Sequence, residues 1–267
     1  MTRRIWATIP QFSRSFDLTR QLATRAHELG LRGIMCFDHL VPIGKPGRPT
    51  LEGAAVLGAI AAAASVPVGS MVTRVTLRPP EVTAAIAATL ASVGIEGSVL
   101  GLGVGDRLSA DEAHRFGFPT LDLSARLDLL ARTIDLVRAQ SPELEIWIGG
   151  RHHRLREVTA QRADGWNAWD ASIADLAAEG SEIWSNADRP VVISWGGVVL
   201  IAADDKSLEA AVQKRGGTEG VIAGTPEVVV TRLREIAAIA DQLVLTVLPH
   251  HPDTWELFAT DVIPHLQ

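Results

Sequence analysis

The chain of 267 residues holds a single cysteine, Cys36, so an internal disulfide framework is excluded and a reducing compartment suits it. No run of lysine and arginine occurs. With 25 basic against 31 acidic residues, the net charge is −6, which argues against counter-ion-driven binding to nucleic acid. Long apolar runs are missing as well. The longest, Ala54 to Ser65, falls far below the ~20 residues that cross a bilayer. The opening segment, Met1 to Pro10, has arginines but too short an apolar run for a signal peptide. The histidines show neither HxH nor HExxH spacing, so no metal site is expected. A solenoid-type repeat and a low-complexity linker are both lacking. These absences lead to the expectation of a soluble cytoplasmic protein that engages neither nucleic acid nor membrane.

What the chain does have is apolar mass: 47% hydrophobic residues and a mean hydropathy of +0.17. A chain of this size buries roughly three quarters of its unfolded surface, enough for one large core. The expectation is one domain over residues 1–267. Short β-rich runs alternate with amphipathic stretches throughout. Strands are expected at Arg4–Pro10, Gly33–Asp38, Val66–Thr73, Ser98–Val104, Glu145–Gly150, Trp166–Trp169, Val191–Ile201 and Leu243–Leu248. Helices are expected between them, for example Leu18–Leu29 with Asp17 as its N-cap, Leu51–Ser65, Glu81–Val93 and Leu123–Gln140. The strands lack polar alternation, as when both faces are covered. Eight βα units in a chain of this length define an α/β fold, a (β/α)8 TIM barrel.

In such barrels the active site lies at the C-terminal mouth of the strands. The residues there include Pro10–Phe12, Asp38–His39, Ser70–Thr73, Gly103–Arg107, Gly149–His153, Asn167–Asp170 and Pro249–His251. Their glycines and tryptophans suit a flat anionic ligand better than a metal. Gly149 and Gly150, placed between a strand and a helix, either present amides to a phosphate or merely permit a tight turn. Asp38 and His39 are an acid–base pair, the start of a metal site for which the other histidines lack the spacing, or a structural pair in which Asp38 bonds loop amides. Gly101-Leu-Gly-Val-Gly105 lacks the GxGxxG spacing of a dinucleotide fingerprint, and its glycines instead let a ring system approach the backbone. An apolar bowl of Trp6, Phe12, Met71, Trp166, Trp169 and Trp195 is expected to exclude water there.

Several ordered motifs carry a family resemblance. They are Ala26-His-Glu-Leu-Gly-Leu-Arg-Gly33 with Met35-Cys-Phe-Asp-His-Leu40, Gly69-Ser-Met-Val-Thr73 with Arg78-Pro79, and Val99-Leu-Gly-Leu-Gly-Val-Gly105. Phe116-Gly117 with Arg126, Ile146-Trp-Ile-Gly-Gly150, Ala163-Asp-Gly-Trp-Asn167 and Gly224-Thr-Pro-Glu227 follow in order. Together they resemble the luciferase-like flavin and deazaflavin oxidoreductases, especially the branch that uses coenzyme F420. The chain departs from that pattern in Ala84–Ala91 and Glu96-Gly97-Ser98, which lack the family's Lys, Asp and Arg. The span from Gly149 to Asp241 is also short, which implies a short or absent lid insertion.

The resemblance implies a cofactor across the barrel mouth, F420 or alternatively FMN. Its ring would rest on a bulge with a non-prolyl cis peptide near Ser70-Met71, with Val72 beside it. His39 matches the family's active-site histidine, and Asp106 aligns with a proton-handling glutamate. Gly149, Gly150 and Arg151 match the phosphate turn, Arg107 is a second anion contact, and Asp38, Gly103 and Gly105 complete the cofactor set. The implied activity is hydride transfer between deazaflavin C5 and an organic small molecule. The alternatives are an FMN-dependent luciferase-like monooxygenase and a non-catalytic cofactor-binding barrel. A homodimer is also implied, and the Ala-rich helix Ala54–Ala64 would pack on a partner helix or on its own barrel.

Overall fold

The computed structural model describes residues 4–42, 47–106 and 109–266. Eight parallel staves close into a barrel. They are β1 (Ile5–Thr8), β2 (Gly33–Cys36), β3 (Val68–Ser70) continued by β4 (Thr73–Arg74), β5 (Val99–Gly103), β6 (Glu145–Gly149), β7 (Gly165–Trp169), β8 (Val192–Ile201) and, after a short outer strand β9 (Ile222–Gly224), β10 (Gln242–Leu248). β10 bonds to both β1 and β8, which completes the ring, while β9 pairs with the far end of β8. The fold is a (β/α)8 TIM barrel, as the alternation of runs predicts.

The helices are α1 (Asp17–Arg25), α2 (Gly53–Ala63), α3 (Pro80–Val93), α4 (Ala110–Phe116), α5 (Leu123–Gln140), α6 (His153–Arg162), α7 (Ile173–Asn186), α8 (Asp205–Arg215), α9 (Pro226–Ala237) and α10 (Pro252–Asp261). Eight of these wrap the barrel, and α4 and α8 are additions after β5 and β8. Among the described residues no connection carries a separate lid. No helix among them is long and apolar enough to cross a membrane. The structure corrects the expected cap of α1. Asp17 is the first helical residue rather than the cap, and its carboxylate accepts from the Ser15 hydroxyl at 2.7 Å. An acidic residue in the first turn favours the positive helix end from there.

Successive strand residues point to opposite faces, so the core divides in two. Ile5, Ile34, Leu100, Ile146, Ile193 and Leu245 face outward and meet helix residues such as Leu22, Ile60, Leu90 and Ile134. Trp6, Met35, Met71, Val99, Trp147 and Val244 fill the interior. Trp6 and Trp147 meet edge to face with centroids 5.9 Å apart, an arrangement that aromatic quadrupoles favour. Gly33 makes room for them, since a Cβ there would lie 2.2 Å from the Trp6 ring. The barrel below the mouth is therefore solid.

Candidate active site

The mouth is built first around Val72. The peptide bond between Met71 and Val72 is cis, one residue beyond the position expected from the resemblance. Gly101 and Gly103 on β5 and Gly149 on β6 turn their bare Cα atoms inward, Gly103 in register with Gly149 and Gly101 one layer below. A Cβ on them would lie 3.0, 2.4 and 2.7 Å from the Val72 methyl groups. The glycines expected to admit a ring system thus cradle the Val72 side chain, and any ring would rest on Val72 instead. Ser70 is buried beneath, its hydroxyl donating to the Gly101 carbonyl at 3.0 Å and accepting from Thr73 at 2.9 Å. Gly105 turns the chain out of β5 at φ +74°, a conformation that favours glycine. Arg126 holds that turn by donating to the carbonyls of Val104 and Gly105.

Beside this shelf stands a cluster of charges on four elements. Asp38, at the end of β2, is buried and spends its carboxylate inside the protein. Its oxygens accept from both Nη atoms of Arg78 at 2.7 and 2.9 Å, and Oδ2 also accepts from the Arg74 amide at 3.0 Å. Arg78 also pairs with Glu52 at the start of α2. Burial pushes against the Arg78 charge, but the hydrogen bonds and charges of Asp38 and Glu52 raise its pKa well above the usual range. Asp38 therefore ties the end of β2 to β4 and to the connection leading into α3, the loop-bonding alternative of the sequence reading, rather than offering a free oxygen to a ligand.

His39, the next residue, is 18% exposed at the rim, and its Nδ1 lies 3.4 Å from Oε2 of Glu112 on α4. Glu112 is only 3% exposed. Its Oε1 accepts from the amides of Leu40 and Val41, and its Oε2 lies 2.6 Å from Arg74 Nη2. The Arg74 contact is an ion pair without hydrogen-bond alignment. Burial alone pushes the Glu112 carboxyl up. The His39 hydrogen bond, the Arg74 charge and the Leu40 amide outweigh it and hold the group below the usual carboxylate range. Glu112 is the site residue that sequence reasoning misses. α4 is a seven-residue polar helix, and nothing in Ala110–Phe116 marks one glutamate as buried.

The other expected site residues are dispersed. Asp106 is exposed, and its Oδ1 accepts from the amide and the hydroxyl of Ser109, both at 2.9 Å, just before α4 begins. It caps the segment whose Glu112 reaches His39. Arg107 lies outside the described residues. Gly150 takes φ +116° in the turn between β6 and α6, where its amide donates to the Asn167 carbonyl at 3.3 Å, and His152 occupies the amides of Arg154, Leu155 and Arg156 at the head of α6. Arg151 has another task. Its guanidinium donates to both oxygens of Glu179 at 2.8 and 3.0 Å and meets Asp175 at 2.8 Å, so its charge is answered by α7.

The expected bowl also changes membership. Trp166 and Trp195 point outward into the helix layer, where their indoles donate to the carbonyls of Gly150 and Ala171. Trp6 lies deep inside. The rings that do reach the mouth are Phe12, Phe37 and Trp169, stacked and edge to face at 5.9 and 5.7 Å. β7 stands across the ring from β2, so this strip of aromatics bridges the mouth.

The profile of the luciferase-like monooxygenases matches residues 2–143, more than half of the chain. The protein belongs to that family. No curated protein matches the sequence. Among solved structures, an F420-dependent secondary alcohol dehydrogenase in complex with an F420–acetone adduct superposes with TM-score 0.82 at 15% identity, over 100% of both chains. The monooxygenase RslO1 from Streptomyces bottropensis gives 0.81 at 16% identity, covering 99% of this chain and 100% of its own. The F420-dependent tetrahydromethanopterin reductase from Methanopyrus kandleri gives 0.78 at 14% identity over 100% of both chains. At these identities the likeness is one of fold.

Proposed function

We propose that the protein is an oxidoreductase that moves a hydride between coenzyme F420 and an organic small molecule. The observation that carries this reading is His39, held at the rim by Glu112 next to the Val72 shelf. The residues present suit a flat ring. Val72 and Met71 offer an apolar support, and the cradle beneath Val72 leaves no lower position for a ring to occupy. The turn from Gly149 to Arg151 would hold the anionic tail, with Arg151 kept in place by Glu179. When bound, F420 supplies the hydride chemistry at its C5.

The protein's own part is position and protons. His39 gives or takes the proton at the substrate atom adjacent to the one that changes hydride, a task suited to imidazole. Phe12, Phe37 and Trp169 exclude water from the substrate side and stack on its apolar parts. Asp106 is more peripheral to proton handling, since it caps the approach to α4.

FMN is the second reading, favoured by another structure of this fold, a type II Baeyer-Villiger monooxygenase in complex with FMN from Pseudomonas putida, with TM-score 0.75 at 13% identity. Titration of purified protein with F420 and separately with FMN, followed by fluorescence and calorimetry, separates the two. Selective micromolar binding of F420 is the expected result. Selective FMN binding transfers the protein to flavin chemistry, and binding of neither makes it a non-catalytic barrel. His39→Ala is expected to keep F420 affinity and lose turnover by roughly 10²-fold or more. We further propose a homodimer joined through α2 and α3, whose outer faces carry Ala55, Ala59, Ala62, Val82 and Val93, with Glu81 at the start of α3 paired to Arg132.

A further inference from the structure

The carboxylate of Glu112 is surrounded by donors. Oε1 accepts two backbone amides, from Leu40 and Val41, and Oε2 faces the Arg74 guanidinium and His39 Nδ1. An ionised carboxylate has no hydrogen to give, so its contact with an imidazole nitrogen requires the hydrogen to sit on that nitrogen. Arg74 supports the arrangement from its other end, with Nε donating to the Asp38 carbonyl at 3.1 Å and its amide donating to the Asp38 carboxylate. Both members of the Arg74–Glu112 pair are nearly sealed from solvent, at 5% and 3% exposure. A pair so placed keeps its geometry, because removing either member leaves an uncompensated buried charge. Among the described residues, His39 Nε2 has no hydrogen-bond partner.

We infer that Glu112, braced by Arg74, is a positioning residue that fixes His39 as its Nδ1–H tautomer and leaves Nε2 as the nitrogen that exchanges protons with substrate. The same carboxylate holds the backbone of residues 40 and 41, so ring orientation and tautomer are set by one group. Helix α4 thereby becomes part of the catalytic apparatus although none of its residues touches the reacting atoms. The functional consequence rests on the proposed role of His39, but the tautomer assignment does not.

The test is nitrogen NMR of the ligand-free protein at a pH where its imidazoles are neutral, with the His39 signals assigned by their loss in His39→Gln. The wild-type ring is expected to carry its hydrogen on Nδ1. Glu112→Gln keeps an oxygen for the amides of Leu40 and Val41 but offers an NH2 group, and it is expected to shift the ring toward the Nε2–H form. With F420 loaded, the same variant is expected to lose roughly 10²-fold in kcat with little change in KM. An Nε2–H ring in the wild type overturns the inference, as does a ring unchanged by Glu112→Gln. If Glu112→Gln fails to fold because Arg74 is left unpaired, the double variant Glu112→Gln with Arg74→Gln removes that charge and the tautomer is read there. Turnover that survives His39→Ala while the tautomer responds to Glu112 would sink the role of His39 and leave the positioning by Glu112 standing.

Discussion

Gly103 is bare because Val72 is not. A methyl group on Gly103 would lie 2.4 Å from a Val72 methyl, and one on Gly149 or Gly101 would lie 2.7 or 3.0 Å from the other, so Val72 occupies the space that side chains at these positions would take. Gly103→Ala is therefore expected to cost about 1–3 kcal/mol of stability as an overpacking defect. Urea unfolding checks this. Gly103→Ala combined with Val72→Ala should recover most of the loss, because the added methyl then meets empty space, and failure of that rescue would remove Val72 from the argument. Cys36 illustrates the opposite kind of residue. Buried behind Asp38, its thiol is pushed far above its ordinary pKa by desolvation and then by that neighbouring negative charge, so it acts as a small apolar side chain. Asp38 itself joins the end of β2, β4 and the connection leading into α3 through Arg78 and Arg74, which explains why an aspartate precedes the rim histidine.

At the scale of the element, α4 is the informative case. Its anchor is a carboxylate whose folded pKa is depressed, so the stability it contributes is fully present above the ordinary glutamate value of ~4.3 and is lost as pH falls through the lower, folded value. Wild type and Glu112→Gln should thus differ in urea midpoint at pH 7 and converge as the solution is acidified below about pH 4. Parallel midpoints across that range would show that Glu112 is not ionised against Arg74. The same helix marks the limit of what the sequence tells. Staves such as Val99–Gly103 and Glu145–Gly149 are legible because they are apolar, short and bounded by glycine or turn residues. Long helices such as Leu123–Gln140 are legible through their spacing. His39 and the bulge around Met71 and Val72 are legible through resemblance. α4 offers no such signal, because its burial consists of one charged side chain satisfied by residues about 40 and 70 positions earlier in the chain. Trp166 and Trp195 mislead for a related reason, since a strand-end tryptophan faces in or out according to register, and both face out. Arg151 reads as a free cation until Glu179 on α7 is placed beside it.

For the whole molecule, two helices with exposed apolar residues remain to be accounted for. α2 carries no charged residue, and α3 exposes Val82 and Val93 at 45% and 47%. α2 is apolar all round, a pattern ordinarily found in buried helices, and α3 beside it bears one charge, Glu81, at its start; both lie on the outside of the barrel. Light scattering after size exclusion is expected to give twice the 28.6 kDa chain mass. An Ala59→Glu variant should halve that mass while the barrel stays folded, and a wild type that elutes at the single-chain mass disposes of the interface. The barrel itself is a rigid frame, with strands bonded all round and an interior packed by Trp6 and Trp147. Only its uppermost filling is set by one residue. Because the glycine cradle contributes no side chain of its own, the depth of the vessel at that end is the height of Val72. Exchange for alanine would lower the floor by two methyl groups and exchange for isoleucine would raise it by one carbon, without altering a hydrogen bond of the wall. One side chain thus sets how thick a ligand this end of the barrel admits.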